Sequence, residues 1–151
     1  MNIVLVEPEI PYNTGNIGRT CLLTNTKLFL IKPLGFSLDD KNLKRAGLDY
    51  WKDVDCEIFD TLENLMLKFS DQNFYFATTK TDQKYSDIKY KNNDFLVFGK
   101  ESKGIDKNIL SKYKNSCITI PMIKIGRSLN LSNSVAIILY EALRQLGFGE
   151  L

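Results

Sequence analysis

Three short stretches of the chain gather the side chains able to do chemistry. The first, "EPEIPYNTGNIGRTC" (residues 7–21), carries Asn16 and Arg19 among the glycines Gly15 and Gly18. Its glycine spacing fits neither a Walker A loop, which needs GxxxxGK before Ser or Thr, nor the GxGxxG of a dinucleotide site. Asn13 or Thr14 reads as the cap of a helix starting near Gly15, after an extended path set by Pro8 and Pro11. Arg19 falls on the first turns of that helix, where a cation opposes the helix dipole. It is either a solvated charge or a group with an anionic partner.

The second stretch, "FGKESKGI" (98–105), places Glu101 between Lys100 and Lys103 and offers Gly99 and Gly104 where backbone bends sharply or approaches a ligand. A polar turn with self-compensating charge and a ligand loop both fit. The third, "IPMIKIGRSLNLSNS" (120–134), enters a helix whose first turns hold Ser128, Asn130, Ser132 and Asn133. A helix N-terminus needs one cap for one or two orphan amides, so four small polar side chains are a surplus that points to a polar pocket.

What is missing narrows the chemistry further. The sequence has no histidine, which removes the commonest general base, the commonest metal ligand and every Ser-His or Cys-His pair. No metal site is expected. Cys21, Cys56 and Cys117 are widely spaced in apolar surroundings and read as buried, reduced thiols. A net charge of +2 requires any nucleic-acid contact to come from local clusters of Lys and Arg.

The elements that must position these stretches alternate in type. "NIVLV" (2–6), "KLFLI" (27–31), "DCEIF" (55–59), "NFYFATT" (73–79), "DFLVFG" (94–99) and "SCITI" (116–120) read as strands, mostly apolar throughout and so buried on both faces. Helices are expected over 15–25, 39–46, 61–69 capped by Asp60, 107–112 near Asp106, and 130–146. In the last, Leu131, Val135, Ile138, Ala142 and Leu146 share one side, and Ile137 and Leu139 widen it until the helix must pack on the sheet or on another subunit. The expectation is an α/β fold, one domain over residues 1–151, with a mainly parallel six-stranded sheet flanked by helices. In such folds ligands bind at loops off the carboxyl ends of strands, where the three stretches fall. With 44% hydrophobic residues, no basic segment ahead of an apolar run at the N-terminus and no run long enough to span a bilayer, a cytoplasmic location is expected.

In order and spacing, "EPEIPYNTGNIGRTC", "FGKESKGI" and "IPMIKIGRSLNLSNSVAIILYEALRQ" resemble the three motifs of the SPOUT superfamily of RNA methyltransferases, and the whole chain is similar to its minimal tRNA wobble-nucleotide 2'-O-methyltransferases. The resemblance implies S-adenosylmethionine as methyl donor, the wobble ribose 2'-hydroxyl of a tRNA anticodon (cytidine or uridine) as acceptor, a homodimer, and a C-terminal deep trefoil knot. Topology rules alone would have discarded the knot. It places the cofactor at Ala77, Gly99, Ile120 and Ser128, with backbone around Ile120 and Met122 reading the adenine edge and Leu129 packing nearby. Glu101 is expected to hold its neighbouring loop. Arg19 is implied as the essential acceptor-side residue, as base or as phosphate anchor, with Asn16 orienting it or the ribose. Asn130 and Ser132 belong to the motif lining the catalytic pocket. RNA contacts are expected from Lys41, Lys44 and Arg45 in "DDKNLKRAGLDY", from Arg127 and Arg144, and from Tyr140 at the tRNA site and the dimer.

Two rivals stand beside this reading. A Rossmann-type NAD enzyme is disfavoured by the absent GxGxxG and by Lys32 where an acidic residue would end the second strand. A non-catalytic RNA-binding module would explain basic loops but not the polar surplus from Ser128 to Asn133.

Overall fold

The computed structural model describes residues 1–38, 50–123 and 126–149. Six strands, β1 (Asn2–Val6), β2 (Lys27–Ile31), β3 (Cys56–Phe59), β4 (Phe74–Ala77), β5 (Phe95–Phe98) and β6 (Cys117–Ile118), form one sheet in the order β3-β2-β1-β5-β4-β6. Every pairing is parallel. The chain steps outward from β1 to β2 and β3, then resumes on the other side of β1, where β5 pairs Asn2–Leu5 against Phe95–Phe98. That reversal opens a crevice at the carboxyl ends of β1 and β5.

Side chains alternate across each strand, so the sheet feeds two cores. On one face Ile3, Leu5, Leu28, Leu30, Leu96 and Phe98 pack against α1 (Pro11–Leu23) and α4 (Leu131–Gln145) through Ile17, Cys21, Val135, Ile138, Leu139 and Ala142. On the other, Val4, Phe29, Ile31, Phe76, Phe95 and Val97 meet α2 (Leu62–Lys68) and α3 (Lys107–Lys112) through Leu62, Leu65 and Leu110. This second core is aromatic: Phe74 and Phe95 stack with centroids 4.4 Å apart, and Phe29 lies 5.5 Å from Phe95. Full burial of each such side chain contributes about 1.5–3 kcal/mol.

Several element boundaries differ from the sequence expectation, each for a physical reason. α1 starts at Pro11, not Gly15, with Ile10 in the cap position and no side-chain cap of its own. Asn13 and Thr14, expected as caps, lie inside the helix and are buried. The cap of α2 is Thr61, whose hydroxyl accepts from the Asn64 amide, because Asp60 is turned outward to Lys32 (2.8 Å). β6 is shorter than expected, yet its extension stays tied: the Thr119 amide donates to Gln83 O and the Tyr85 amide to Thr119 O, both at 2.9 Å. The helix expected over 39–46 lies outside the described residues. Cys21 and Cys117 are buried, whereas Cys56 is half-buried. Burial pushes the Cys21 and Cys56 thiols up to about 12, which leaves them inert as nucleophiles. No helix among the described residues is long and apolar enough to cross a membrane.

Candidate active site

The loops that leave β1 and β5 side by side are stitched together by three carboxylates. Glu7, at a left-handed backbone position (φ 51°) just past β1, pairs with Lys100. Glu9 accepts from the Ser102 amide (2.9 Å) and hydroxyl (2.8 Å), which holds its carboxyl below the ordinary range. Glu101 returns the contact, accepting from the Glu9 amide (2.9 Å), the Ile10 amide (3.2 Å) and Asn13 Nδ2 (3.0 Å). A carboxylate 88 positions downstream of Asn13 thus holds the chain entering α1, at the end of the helix where negative charge is favoured.

The third loop joins through Asn13 as well. Asn130 caps α4, its Oδ1 accepting from the Ser132 amide (2.8 Å) and hydroxyl (2.7 Å), while its Nδ2 donates to Asn13 Oδ1 (3.0 Å). Ser134 returns its hydroxyl to the Asn130 carbonyl (3.1 Å). Asn13, 4% exposed, is therefore the node between all three stretches. By sequence alone it reads only as a helix cap. The available signal was its position, two residues past Pro11, because a Pro at the first helical residue moves a following Asn inside the helix.

Between the loops lies a cavity of about 380 Å³. Ile118, Ile120, Leu129, Leu131 and Ile138 give it apolar walls, and Thr78, Ser128, Asn130 and Ser134 give it a hydroxyl and amide rim. Such a mixture suits a flat apolar ring with hydrogen-bonding edges and a polar tail. Ala77, Gly99, Glu101, Ile120, Met122, Ser128 and Leu129 all line it. Gly99 does so for a reason other than ligand approach: a Cβ there would lie 2.1 Å from the Gly104 carbonyl carbon, so the loop's own backbone occupies the space.

The expected acceptor-side and RNA-side residues fall elsewhere. Arg19 and Asn16 are not among the residues lining the cavity; Arg19 is exposed on α1, its guanidinium 4.9 Å from the centre of the Tyr50 ring. Ser132 sits behind Asn130 as its capping partner. Arg127 is exposed next to Ser128, and Tyr140 is 48% exposed on α4. Arg144 is tied to Glu141 by two bonds of 2.8 and 2.9 Å, which hold the Glu141 carboxyl down at about 2. Lys41, Lys44 and Arg45 lie outside the described residues.

A parallel α/β sheet with a cavity between its strand-end loops is an architecture that binds a ligand there, and the sequence match gives its class: residues 1–140 fit the SpoU rRNA Methylase family, to which the chain belongs. A protein of Listeria monocytogenes serotype 4b (strain F2365) is 54% identical over 99% of this chain and 90% of its own length. The tRNA (cytidine(34)-2'-O)-methyltransferase of Methylovorus glucosotrophus (strain SIP3-4) is 45% identical, covering 97% of this chain and 96% of its own. A solved structure described as giving insights into the 2-OH methylation of C/U34 on tRNA superposes with a TM-score of 0.89 at 37% identity, over 97% of this chain and 95% of that one. The SpoU methyltransferase AviRb of Streptomyces viridochromogenes, solved with AdoMet, shares the fold at a TM-score of 0.84 and 21% identity, over 99% of this chain and 61% of its own.

Proposed function

We propose that this chain transfers the methyl group of S-adenosylmethionine to the ribose 2'-hydroxyl of the wobble nucleotide, cytidine or uridine, of a tRNA anticodon, in the cytoplasm. The observation that carries the reading is the cavity at the three joined loops, in a chain so similar throughout its length to a wobble-nucleotide methyltransferase. The cavity fits the cofactor in kind: its apolar walls suit an adenine, and its polar rim suits a ribose and an amino-acid tail. Ala77, Gly99, Ile120, Met122, Ser128 and Leu129 would hold it, with Glu101 keeping the wall in place. Bound S-adenosylmethionine supplies an electrophilic methyl on sulfur.

The chain's own residues supply position and charge. A guanidinium keeps its proton in proteins, so Arg19 acts as a cation that draws a phosphate beside the ribose and orients the 2'-oxygen. Asn16, one turn earlier on α1, helps to hold that arrangement. Arg127 and Tyr140 are exposed and available to RNA, and Lys41, Lys44 and Arg45 add basic charge; Arg144 serves chiefly through its pair with Glu141. The active form in this reading is a homodimer with the C-terminal segment threaded into a trefoil knot. Two features support the dimer: Arg19 stands outside the cavity, and exposed apolar side chains, Tyr12 and Leu23 on α1 and Ile137 and Tyr140 on α4, lie on two helices that pack together.

Transfer of labelled methyl from S-adenosylmethionine to unmodified tRNA, followed by mapping of the modified nucleotide, tests the proposal. Modification at the wobble ribose is expected. RNA binding without any transfer would leave a binding module instead, and modification elsewhere would overturn the substrate.

A further inference from the structure

We propose that Tyr50 is a positioning residue for Arg19, an inference that rests on Arg19 being the acceptor-side cation. Tyr50 makes two contacts with the same turn of α1. Its ring faces the Arg19 guanidinium at 4.9 Å, and its hydroxyl donates to the Gly15 carbonyl at 2.9 Å. Gly15 and Arg19 are four apart, one helical turn, so ring and hydroxyl together fix both the helix and the side chain that leaves it. The next residue strengthens the clamp. Trp51 lies against Gly18, where even a Cβ would come within 2.6 Å of its ring, so Tyr50 and Trp51 both pack on the stretch of α1 that carries Arg19.

An exposed arginine has many rotamers, and ordering one carries a side-chain entropy cost. Among the described residues no carboxylate pairs with Arg19, so the aromatic face is what restrains it there. A ring holds a guanidinium without neutralising it, whereas a carboxylate would compete with the substrate phosphate for the same donors. Tyr50 thus pre-orders the cation and leaves its charge free for the anion.

The test compares Tyr50→Phe, Tyr50→Leu and Arg19→Ala in methyl transfer to tRNA. Tyr50→Leu is expected to lower kcat about tenfold, the scale of a lost cation–aromatic contact, with cofactor affinity and the KM for tRNA within about twofold. Tyr50→Phe, which keeps the ring, should retain most of kcat. Equal losses in the Phe and Leu variants, or a loss in Tyr50→Leu that falls on cofactor affinity rather than on kcat, would overturn the positioning role. Near-normal activity of Arg19→Ala would instead overturn the Arg19 reading itself, and the inference with it. Trp51 is the only tryptophan, so its fluorescence reports whether each variant keeps the clamp folded; should Tyr50→Leu lose it, Tyr50→Met takes its place.

Discussion

The Asn130 side chain donates to Asn13 Oδ1 across 3.0 Å and so joins the first turn of α1 to the cap of α4, 117 positions apart. Asn13 passes the connection on to Glu101, and the buried amide has both its ends occupied. Loss of such a buried partner costs about 1–3 kcal/mol. Asn13→Ala should lower stability in denaturant by that amount and weaken cofactor binding in calorimetry. A variant with wild-type midpoint and affinity would show that the node is dispensable.

Glu101 accepts three N–H donors, and a glutamine can accept through only one oxygen while bringing an amide that has no acceptor there. Bonds to a charged group are worth about 1.5–3 kcal/mol, so Glu101→Gln should destabilise the chain on that scale and Glu101→Ala at least as much. Hydrogen exchange at the Glu9 and Ile10 amides is the direct measure, and both should lose protection.

Arg19→Ala should abolish methyl transfer while leaving S-adenosylmethionine affinity close to wild type, because the residue stands outside the cavity. Parallel loss of cofactor binding in a folded variant would contradict that division.

Gly99→Ala puts a methyl where Gly104 backbone already lies, with no flexible side chain to give way. Overpacking of this kind costs about 1–3 kcal/mol or more. The melting temperature should fall and the loop carrying Glu101 should shift, which cofactor titration would register. Unchanged melting would mean that the 98–105 turn re-forms without strain.

The Glu141 carboxyl sits at about 2, below the ordinary 4.5, because Arg144 and Gln145 donate to its charged form. A depressed carboxyl stabilises the fold fully above its ordinary value, and that contribution is lost as the pH falls from 4.5 towards 2. Unfolding of Glu141→Gln and of the parent should therefore converge in stability through that window. A constant difference between the two across it would remove the ion pair from the account.

The strands were legible because a buried parallel strand is a continuous apolar run, and β1 and β2 fall where "NIVLV" and "KLFLI" stand. The residues expected to bind the cofactor line one cavity because they end strands or enter a helix, positions that local pattern reveals. The start of α1 was not legible, since the group that holds the chain entering it is Glu101, 88 positions from Asn13, and no local window contains both. Asp60 and Thr61 are each good caps by type; in the folded chain Thr61 caps and Asp60 pairs with Lys32, a partner 28 positions away. The contact of Arg19 with Tyr50 has no periodic signature at all. It joins a helix to an aromatic side chain that only the folded chain brings near.

The pairing of β1 with β5 has a consequence for the nascent chain. Residues far apart in the order of synthesis must meet before the crevice exists, and Asn13 waits for Asn130 before its amide is satisfied. The cavity takes part of its lining from Ser128, Leu129, Asn130, Leu131, Ser134 and Ile138, so it is incomplete until those residues have been made. Cofactor capture should appear on the ribosome as a late event, after α4 has emerged, and would serve as a reporter of crevice formation.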